Sequence, residues 1–251
     1  MIKLLKYDWK RSNDGILSTL AILIILEAAL SITGFIRDWE DAIVLSFSIF
    51  GYVLALILLF IHCCRTYDGN IKSFSRRLIP LHPIHGIGAI IILSWIILLL
   101  VTIIALIHIT VYLNFSDASW SEWHKIVQFK HGGLFGMAVA GLWAYTSIMI
   151  AILASITVAR SFRMKRSAWI GIVFFFAVQS LFAWFNSLLF DSNQSPLGII
   201  SMDTSSVEPG AVSFASSLNT DYLFGPFLLE VALNAGFLLL TIYLLNKKVE
   251  V

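Results

Sequence analysis

The sequence predicts an all-α integral membrane protein with six transmembrane helices. Of its 251 residues, 59% are hydrophobic and only 13% are charged, and the mean hydropathy is +0.87. Soluble domains average about 45–50% apolar and roughly 25% charged residues. A soluble globule of this composition would hold more apolar side chains than its core could bury. The composition therefore excludes a soluble enzyme, a nucleic-acid-binding protein and a disordered chain.

Six apolar segments are long enough to cross the hydrocarbon core, which takes about 20 helical residues. They are residues 16–36, 43–64, 87–113, 133–159, 168–190 and 224–245. The first segment is longer than the apolar core of a cleaved signal peptide, which has about 7–15 residues, so we expect it to be retained. The sequence thus predicts a single transmembrane domain over residues 1–251.

The charges of the loops predict the orientation. Fourteen of the 17 Lys and Arg residues lie in segments on the side of the membrane that holds both termini. The other side holds only Arg37, Lys125 and Lys130. Because loops rich in Lys and Arg stay in the cytoplasm, both termini are predicted to be cytoplasmic.

Residues 1–13 have the pattern of an amphipathic helix that lies flat in the cytoplasmic membrane interface. Apolar and basic residues recur there at helical spacing: Ile2, Leu5 and Trp9 against Lys3, Lys6, Lys10 and Arg11. Such a helix buries its apolar stripe in lipid and places its cations among anionic headgroups. A positively charged topology anchor explains the same residues, and the two interpretations are compatible.

Two outer segments are predicted to lie at the membrane surface. Trp120, Trp123 and Val127 recur at helical spacing and predict an interfacial helix over residues 117–130, since tryptophan prefers the headgroup level. Residues 191–223 contain no Lys or Arg. They form either a re-entrant segment beside the fifth and sixth spans or an ordinary exposed loop.

The cytoplasmic segment of residues 65–86 is too long for a minimal turn between two spans. Asp68-Gly69-Asn70 has turn chemistry, and a short amphipathic helix ended by prolines is predicted after it. Its residues are Ile71, Phe74 and Leu78 on the apolar stripe, Lys72, Arg76 and Arg77 toward water, and Pro80 and Pro83 at the end. The helix either docks into another protein or lies in the interface without a partner.

Polar residues inside the spans are candidates for the lining of a translocation path or for a subunit seam. They are Glu27, Gln179, Asn186, Glu230 and Asn234. A charge at the centre of a span costs about 2.5–3.5 kcal/mol on insertion scales, so such residues normally face protein or water. Glu27 and Gln179 lie at the same depth of spans that run in the same direction, which would allow a hydrogen bond. Alternatively, Glu27 is protonated and only ties helices together.

The sequence contains none of the common catalytic motifs: no P-loop, G-x-G-x-x-G, H-E-x-x-H or G-x-S-x-G. Cys63 and Cys64 are adjacent, and no Cys and His residues have the spacing of metal ligands. His62 and His108 lie near opposite ends of the membrane, so they cannot share a haem iron. We therefore expect no enzyme activity, cofactor or metal in this chain. The energy for any work that it does would have to come from an ion gradient or from a separate subunit.

Together these features resemble the permease subunit of a type-2 ABC transporter, the class that exports drugs, antibiotics, bacteriocins and polysaccharides. MIKLLKYDWKRS, at residues 1–12, is similar to the basic elbow helix that opens many of these permeases. The family's coupling helix, which a Leu-Pro element follows, corresponds to residues 71–78 and to Leu78-Ile79-Pro80, where Ile79 separates Leu from Pro. Residues 191–223 match the long outer connection before the last span, which is often re-entrant in the family.

The resemblance implies that two permease copies, identical or paralogous, pair in a bacterial cell membrane with the first and fifth spans near the seam. Two copies of a separate ATPase, which binds ATP and Mg, would dock on the cytoplasmic side. The residues implicated in coupling to that ATPase are Ile71, Phe74, Arg76, Arg77, Leu78 and Pro80. The cargo would be amphipathic: an antibiotic, a peptide or a lipid-like molecule.

Two other functions stay open on the sequence. A proton-coupled secondary transporter or channel would use Glu27 or Glu230 and would need no ATPase. A scaffold or sensor without transport activity would use the basic cytoplasmic segment of residues 65–86 to hold a soluble protein.

Overall fold

The computed structural model describes residues 2–72, 82–115, 127–130, 133–162, 167–189, 200–203, 212–216 and 224–247. Six of the helices in these ranges are long and apolar enough to cross a membrane, which confirms the predicted multi-pass helical protein. The chain divides into two compact units, Met1–Trp120 and Ser121–Val251. Each unit contains three of the six helices.

The N-terminal unit is a bundle of three helices over the residues that the structure describes. Its helices are α1 (Ile2–Ile36), α2 (Asp41–Lys72) and α3 (Pro83–Phe115), and each of them packs against the other two. α3 begins at a proline, whose fixed φ and missing N–H suit the first helical position. α1 ends in a tight turn, in which Asp38 has a φ of 48° and the Trp39 N–H donates to the Gly34 carbonyl oxygen at 3.0 Å.

The exposure pattern of this bundle fits a bilayer. Its fully buried side chains include Ile16, Val44, Leu59, Ile87, Ile90, Leu93 and Ile97. Its outer surface is apolar as well: Ile25 is 67% exposed and Leu106 is 60% exposed. Contiguous apolar surface of this kind is rare on soluble monomers, whereas in a membrane it contacts acyl chains.

The predicted elbow helix over residues 1–13 is not confirmed as a separate element, because α1 is continuous from Ile2 to Ile36. Its first turns pack against the end of α2, where Asp8 and Ser12 are buried. The Asn70 Nδ2 donates to Asp8 Oδ1 at 3.2 Å, and the Arg11 guanidinium donates to Asn70 Oδ1 at 3.3 Å. Trp9 is half-buried there, whereas Lys10 is exposed.

The predicted turn at residues 68–70 is wrong, because α2 continues through it to Lys72. An ion pair between Lys72 Nζ and Asp68 Oδ2, 2.8 Å long and one helical turn apart, supports this last turn. Ile71 is 9% exposed and belongs to α2. The other residues assigned to ATPase coupling, which are Phe74, Arg76, Arg77, Leu78 and Pro80, lie outside the described residues.

The described residues of the C-terminal unit form three helices and three short strands. In chain order they are β1 (Val127–Lys130), α4 (Gly133–Ser161), α5 (Ser167–Leu189), β2 (Ile200–Asp203), β3 (Val212–Ser216) and α6 (Phe224–Lys247). α4 packs against both α5 and α6. The strands form one sheet in the order β1-β3-β2, in which β3 runs parallel to β1 and antiparallel to β2.

The strands correct two predictions for the outer segments. Val127–Lys130 is a strand, so the interfacial helix predicted over residues 117–130 is wrong at its end, while Trp120 and Trp123 lie outside the described residues. Residues 191–223 contain two strands, where either a re-entrant segment or a plain loop was expected. The physical reason is backbone pairing with distant segments, such as Val127 opposite Val212, which helical spacing within a few residues cannot reveal.

One close helix crossing in the C-terminal unit is testable. A Cβ added at Gly171 in α5 would lie 3.0 Å from the Ser155 carbonyl oxygen and 3.1 Å from the Ala159 Cβ in α4. Because the first of these contacts is backbone, Gly171→Ala should force α4 and α5 apart and cost about 1–3 kcal/mol, as overpacking does. Thermal unfolding of the purified protein in detergent measures this loss.

The matched control is Gly141→Ala in α4, where an added Cβ meets nothing within 4 Å among the described atoms. It should leave stability unchanged or raise it by up to about 1 kcal/mol through helix propensity. Equal stability of the two variants would contradict the close crossing.

Candidate functional site

Each unit holds one glutamate inside its helices. Glu27 in α1 is 4% exposed and Glu230 in α6 is 8% exposed. Hydrocarbon offers neither of them a hydrogen-bond partner, so each needs polar neighbours within the protein. The two glutamates therefore mark the two candidate sites.

Glu27 fits into a notch on α2. Gly51 forms the notch, because a Cβ at this position would collide with Glu27 Oε1. Ser48 and Tyr52 flank Gly51 on the same face of α2 and are 1% and 8% exposed. The small residue thus lets the Glu27 side chain approach the α2 backbone. The hydroxyls of Ser48 and Tyr52 are buried without a hydrogen-bond partner among the described residues.

His108 of α3 is the second partner of this carboxylate. Its Nε2 lies 2.7 Å from the Ser31 hydroxyl, and its Nδ1 lies 3.9 Å from Glu27 Oε2. The second distance is too long for a direct hydrogen bond. Glu27 Oε2 and His108 Nδ1 are both buried, and neither atom has a hydrogen-bond partner among the residues that the structure describes. A movement of about 1 Å would bring the two atoms within hydrogen-bond distance.

Polar groups continue from this cluster toward the start of α2. The Tyr112 hydroxyl donates to Asp41 Oδ1 at 2.5 Å, and the Tyr112 ring centroid lies 6.4 Å from that of His108. A groove of about 370 Å³ between α1 and α3 opens beside these groups. On the other side of Glu27 the next layer is apolar and buried, with Leu23, Leu59 and Val101. The groove is lined mainly by apolar side chains, with Ser31, His108 and Tyr112 as its polar lining residues.

The C-terminal unit has a cavity of about 40 Å³ between its three helices. Four polar residues line it: Ser147 on α4, Gln179 on α5, and Glu230 and Asn234 on α6. The Asn234 Nδ2 donates to the Ser147 hydroxyl at 2.8 Å, and that hydroxyl lies 3.2 Å from Asn234 Oδ1. This pair of side chains joins α4 to α6 about one helical turn after Glu230 on α6.

The five polar residues predicted as a pathway or seam fall into the two units. Glu27 lies with Ser31, Tyr52 and His108 in the N-terminal unit, whereas Gln179 lies with Glu230 and Asn234 in the C-terminal unit. Asn186 is buried on α5, two turns beyond Gln179. The sequence thus identified Glu230 and Asn234 but did not place them with Gln179.

Sequence reasoning missed His108, Ser31, Tyr52 and Ser147. His108 carried one signal, because it stands in the most apolar of the six spans, where a polar residue is costly. The partner helix could not be deduced, since α3 is apolar on all sides and its sequence does not show which face meets Glu27.

No metal centre emerges from the described part of the chain, in which no three His, Cys, Asp or Glu residues could hold a metal ion together. Cys63 is buried, Cys64 is half-buried, and both are free thiols. Comparison of the chain with protein-family models, curated proteins and solved structures gives no match.

The contact between α1 and α3 can be measured by a double-mutant cycle on Ser31 and His108. Ser31→Ala and His108→Ala should each destabilise the protein, with a coupling energy of about 0.6 kcal/mol and at most about 1.7 kcal/mol, the range found for hydrogen bonds between membrane helices. Reversible unfolding in mixed detergent gives the free energies.

Thr110→Val supplies the control for that cycle. The Thr110 hydroxyl donates to the Leu106 carbonyl oxygen of its own helix, so its effect should add to that of Ser31→Ala without coupling. Additive effects of Ser31→Ala and His108→Ala would show that no hydrogen bond joins the two helices.

Proposed function

We propose that the chain is the transmembrane subunit of an ATP-driven transporter of the ABC class, which exports an amphipathic molecule from a bacterial cell. The single observation that carries this proposal is the paired extension of α1 and α2 beyond their membrane-spanning lengths. Residues 2–14 of α1 and 62–72 of α2 form this extension, which we call the α1–α2 projection. A separate ATPase would bind ATP and Mg and act on it.

The lengths of the two helices support a projection outside the hydrocarbon. At 1.5 Å per residue, the 35 residues of α1 and the 32 residues of α2 reach about 52 Å and 48 Å. The hydrocarbon core is only about 30 Å thick. The excess lies at the end where α1 begins and α2 ends, since the charged residues of both helices are concentrated there.

The contacts within the projection make its two helices move together. Asn70 binds both Asp8 and Arg11, and Tyr67 and Ile71 are buried. A force applied to the residues that follow Lys72 would therefore displace α1 and α2 as one body. α2 carries Gly51, against which Glu27 packs, so the same displacement reaches the middle of the bundle.

The proposal assigns the ATPase contact to Phe74, Arg76, Arg77, Leu78 and Pro80, which follow α2 directly in the chain. Two ATPase copies would bind beneath two permease copies, and membrane lipids would surround the apolar outer faces. ATP binding drives transport only if it favours one arrangement of the helices over another. The stiff projection is the element that would convert ATPase closure into that preference.

Affinity purification of the tagged chain from its native membranes tests the proposal. We expect a stoichiometric soluble protein with nucleotide-binding motifs to co-purify, and we expect Phe74→Asp combined with Leu78→Asp to abolish its binding. The control is Phe115→Asp, because Phe115 is 77% exposed at the opposite end of α3. Recovery of a partner that binds the chain but hydrolyses no ATP would favour the scaffold function instead.

A second candidate, a proton-coupled transporter or channel, is favoured by the Glu27–His108 arrangement. A carboxylate and an imidazole face each other across 3.9 Å inside the bundle. Buried ionisable pairs of this kind serve as proton sites in membrane transporters.

Proton flux through vesicles that contain the chain alone tests the second candidate. With an imposed pH gradient and a pH-sensitive dye inside, wild-type vesicles should acidify faster than empty ones, and Glu27→Gln should abolish the excess because the amide cannot take up the proton. Glu40→Gln, an exposed glutamate at the start of α2, is the control and should leave the flux unchanged. Equal rates for Glu27→Gln and wild type would exclude Glu27 as the proton site.

A further inference from the structure

We propose that the cavity between α4, α5 and α6 binds the protonated amino group of an amphipathic amine, whose apolar part leaves the cavity along Phe182 and Phe237. The proposal deepens the transport function given above and rests on it, because it names the class of molecule that is carried. Binding itself needs only this chain and no ATPase.

The Glu230 carboxylate is the charged group of the cavity. Glu230 is 8% exposed, lines the cavity, and makes no hydrogen bond or ion pair with any residue that the structure describes. The basic residues on the described helices of this unit are Arg160 and Lys247. Arg160 lies about 20 Å from Ser147 along α4, and Lys247 lies about 26 Å from Glu230 along α6. No Lys or Arg of the described helices therefore lies near this carboxylate, and a bound ammonium group would neutralise it.

The neighbouring polar atoms match the three donors of an ammonium group. Gln179 on α5 and Asn234 on α6 line the cavity, and each carries a side-chain carbonyl oxygen that can accept a hydrogen bond. The hydrogen bond from Asn234 Nδ2 to Ser147 fixes the Asn234 amide, and its oxygen keeps a second lone pair for a ligand. Two amide oxygens and one carboxylate form an acceptor set, with no cationic donor on the described helices to compete.

The size of the cavity limits what enters it. Its volume of about 40 Å³ exceeds the 10–15 Å³ that one water needs on the same measure, and it admits an aminomethyl group but no larger body. The side chains around it are apolar: Val178 and Phe182 on α5, and Leu233 and Phe237 on α6. The remainder of the ligand must therefore lie along these side chains, and the faces of the two phenylalanines favour a nearby cation.

Aromatic rings close one end of the site. Trp143 and Phe227, each about one helical turn beyond the cavity toward the start of α6, have ring centroids 5.1 Å apart. Ser147 and Gln179 stand near the middle of their helices, a depth that is typical of transporter binding sites. A ligand would thus reach Glu230 from the membrane side, between α5 and α6, as an amphipathic molecule dissolved in the bilayer can.

Thermal unfolding of the purified full chain in lipid nanodiscs tests the proposal with dodecylamine as the probe and dodecanol as its uncharged analogue. Dodecylamine should raise the unfolding temperature of the wild type in a saturable way, and dodecanol should not. Glu230→Gln should weaken dodecylamine binding about tenfold or more, because a charge-assisted hydrogen bond is lost. Glu40→Gln, which removes an exposed carboxylate of the other unit, should bind like the wild type.

Gln179→Leu keeps the charge and removes one acceptor, so it tests the same site if Glu230→Gln fails to fold, and weaker amine binding is again expected. Equal stabilisation by the amine and the alcohol, or unchanged amine binding by these variants, would overturn the proposal. Equal protection by sodium chloride alone would also overturn it, since the cavity would then be a metal-cation site. ATPase co-purification is scored separately, so failure of either proposal is recognised independently of the other.

Discussion

The hydrocarbon around the spans offers no hydrogen-bond partners, so hydrogen bonds between polar side chains inside each bundle join its helices. In the N-terminal unit, Ser31 and His108 join α1 to α3, and the bare backbone at Gly51 brings α2 to Glu27. In the C-terminal unit, Ser147 and Asn234 join α4 to α6. Apolar side chains do not determine in this way which helix faces meet, because lipid tails are as apolar as those faces.

The two units place their carboxylates in different surroundings. Glu27 lies close to the His108 imidazole, which in turn contacts the Ser31 hydroxyl. These neighbours suit either proton exchange or a stable contact between helices. Glu230 faces a cavity with amide oxygens and aromatic walls, which suits a cationic ligand. The α1–α2 projection belongs to the unit of Glu27, so a force on the projection acts first on the Gly51 notch.

The six spans were predictable because bilayer thickness fixes the length and composition of a helix that crosses it. The helical continuation through Asp68-Gly69-Asn70 was not, because turn propensity is a small local term that the Asp8 and Lys72 contacts override. The strands were missed because β1 pairs with a strand that comes after two further helices. Glu27 and Glu230 were recognised because a charged side chain inside a span is energetically unfavourable. Their neighbours on other helices depend on how each helix is rotated about its axis, which an apolar sequence does not reveal.

The most direct test of the account is a cryo-electron microscopy map of the full chain in nanodiscs, prepared together with whatever co-purifies. The account predicts that α2 continues unbroken to Lys72 and packs against the first turns of α1, with ATPase density against the residues that follow. A map in which residues 1–13 lie flat on the membrane away from α2, with no ATPase bound, would contradict it.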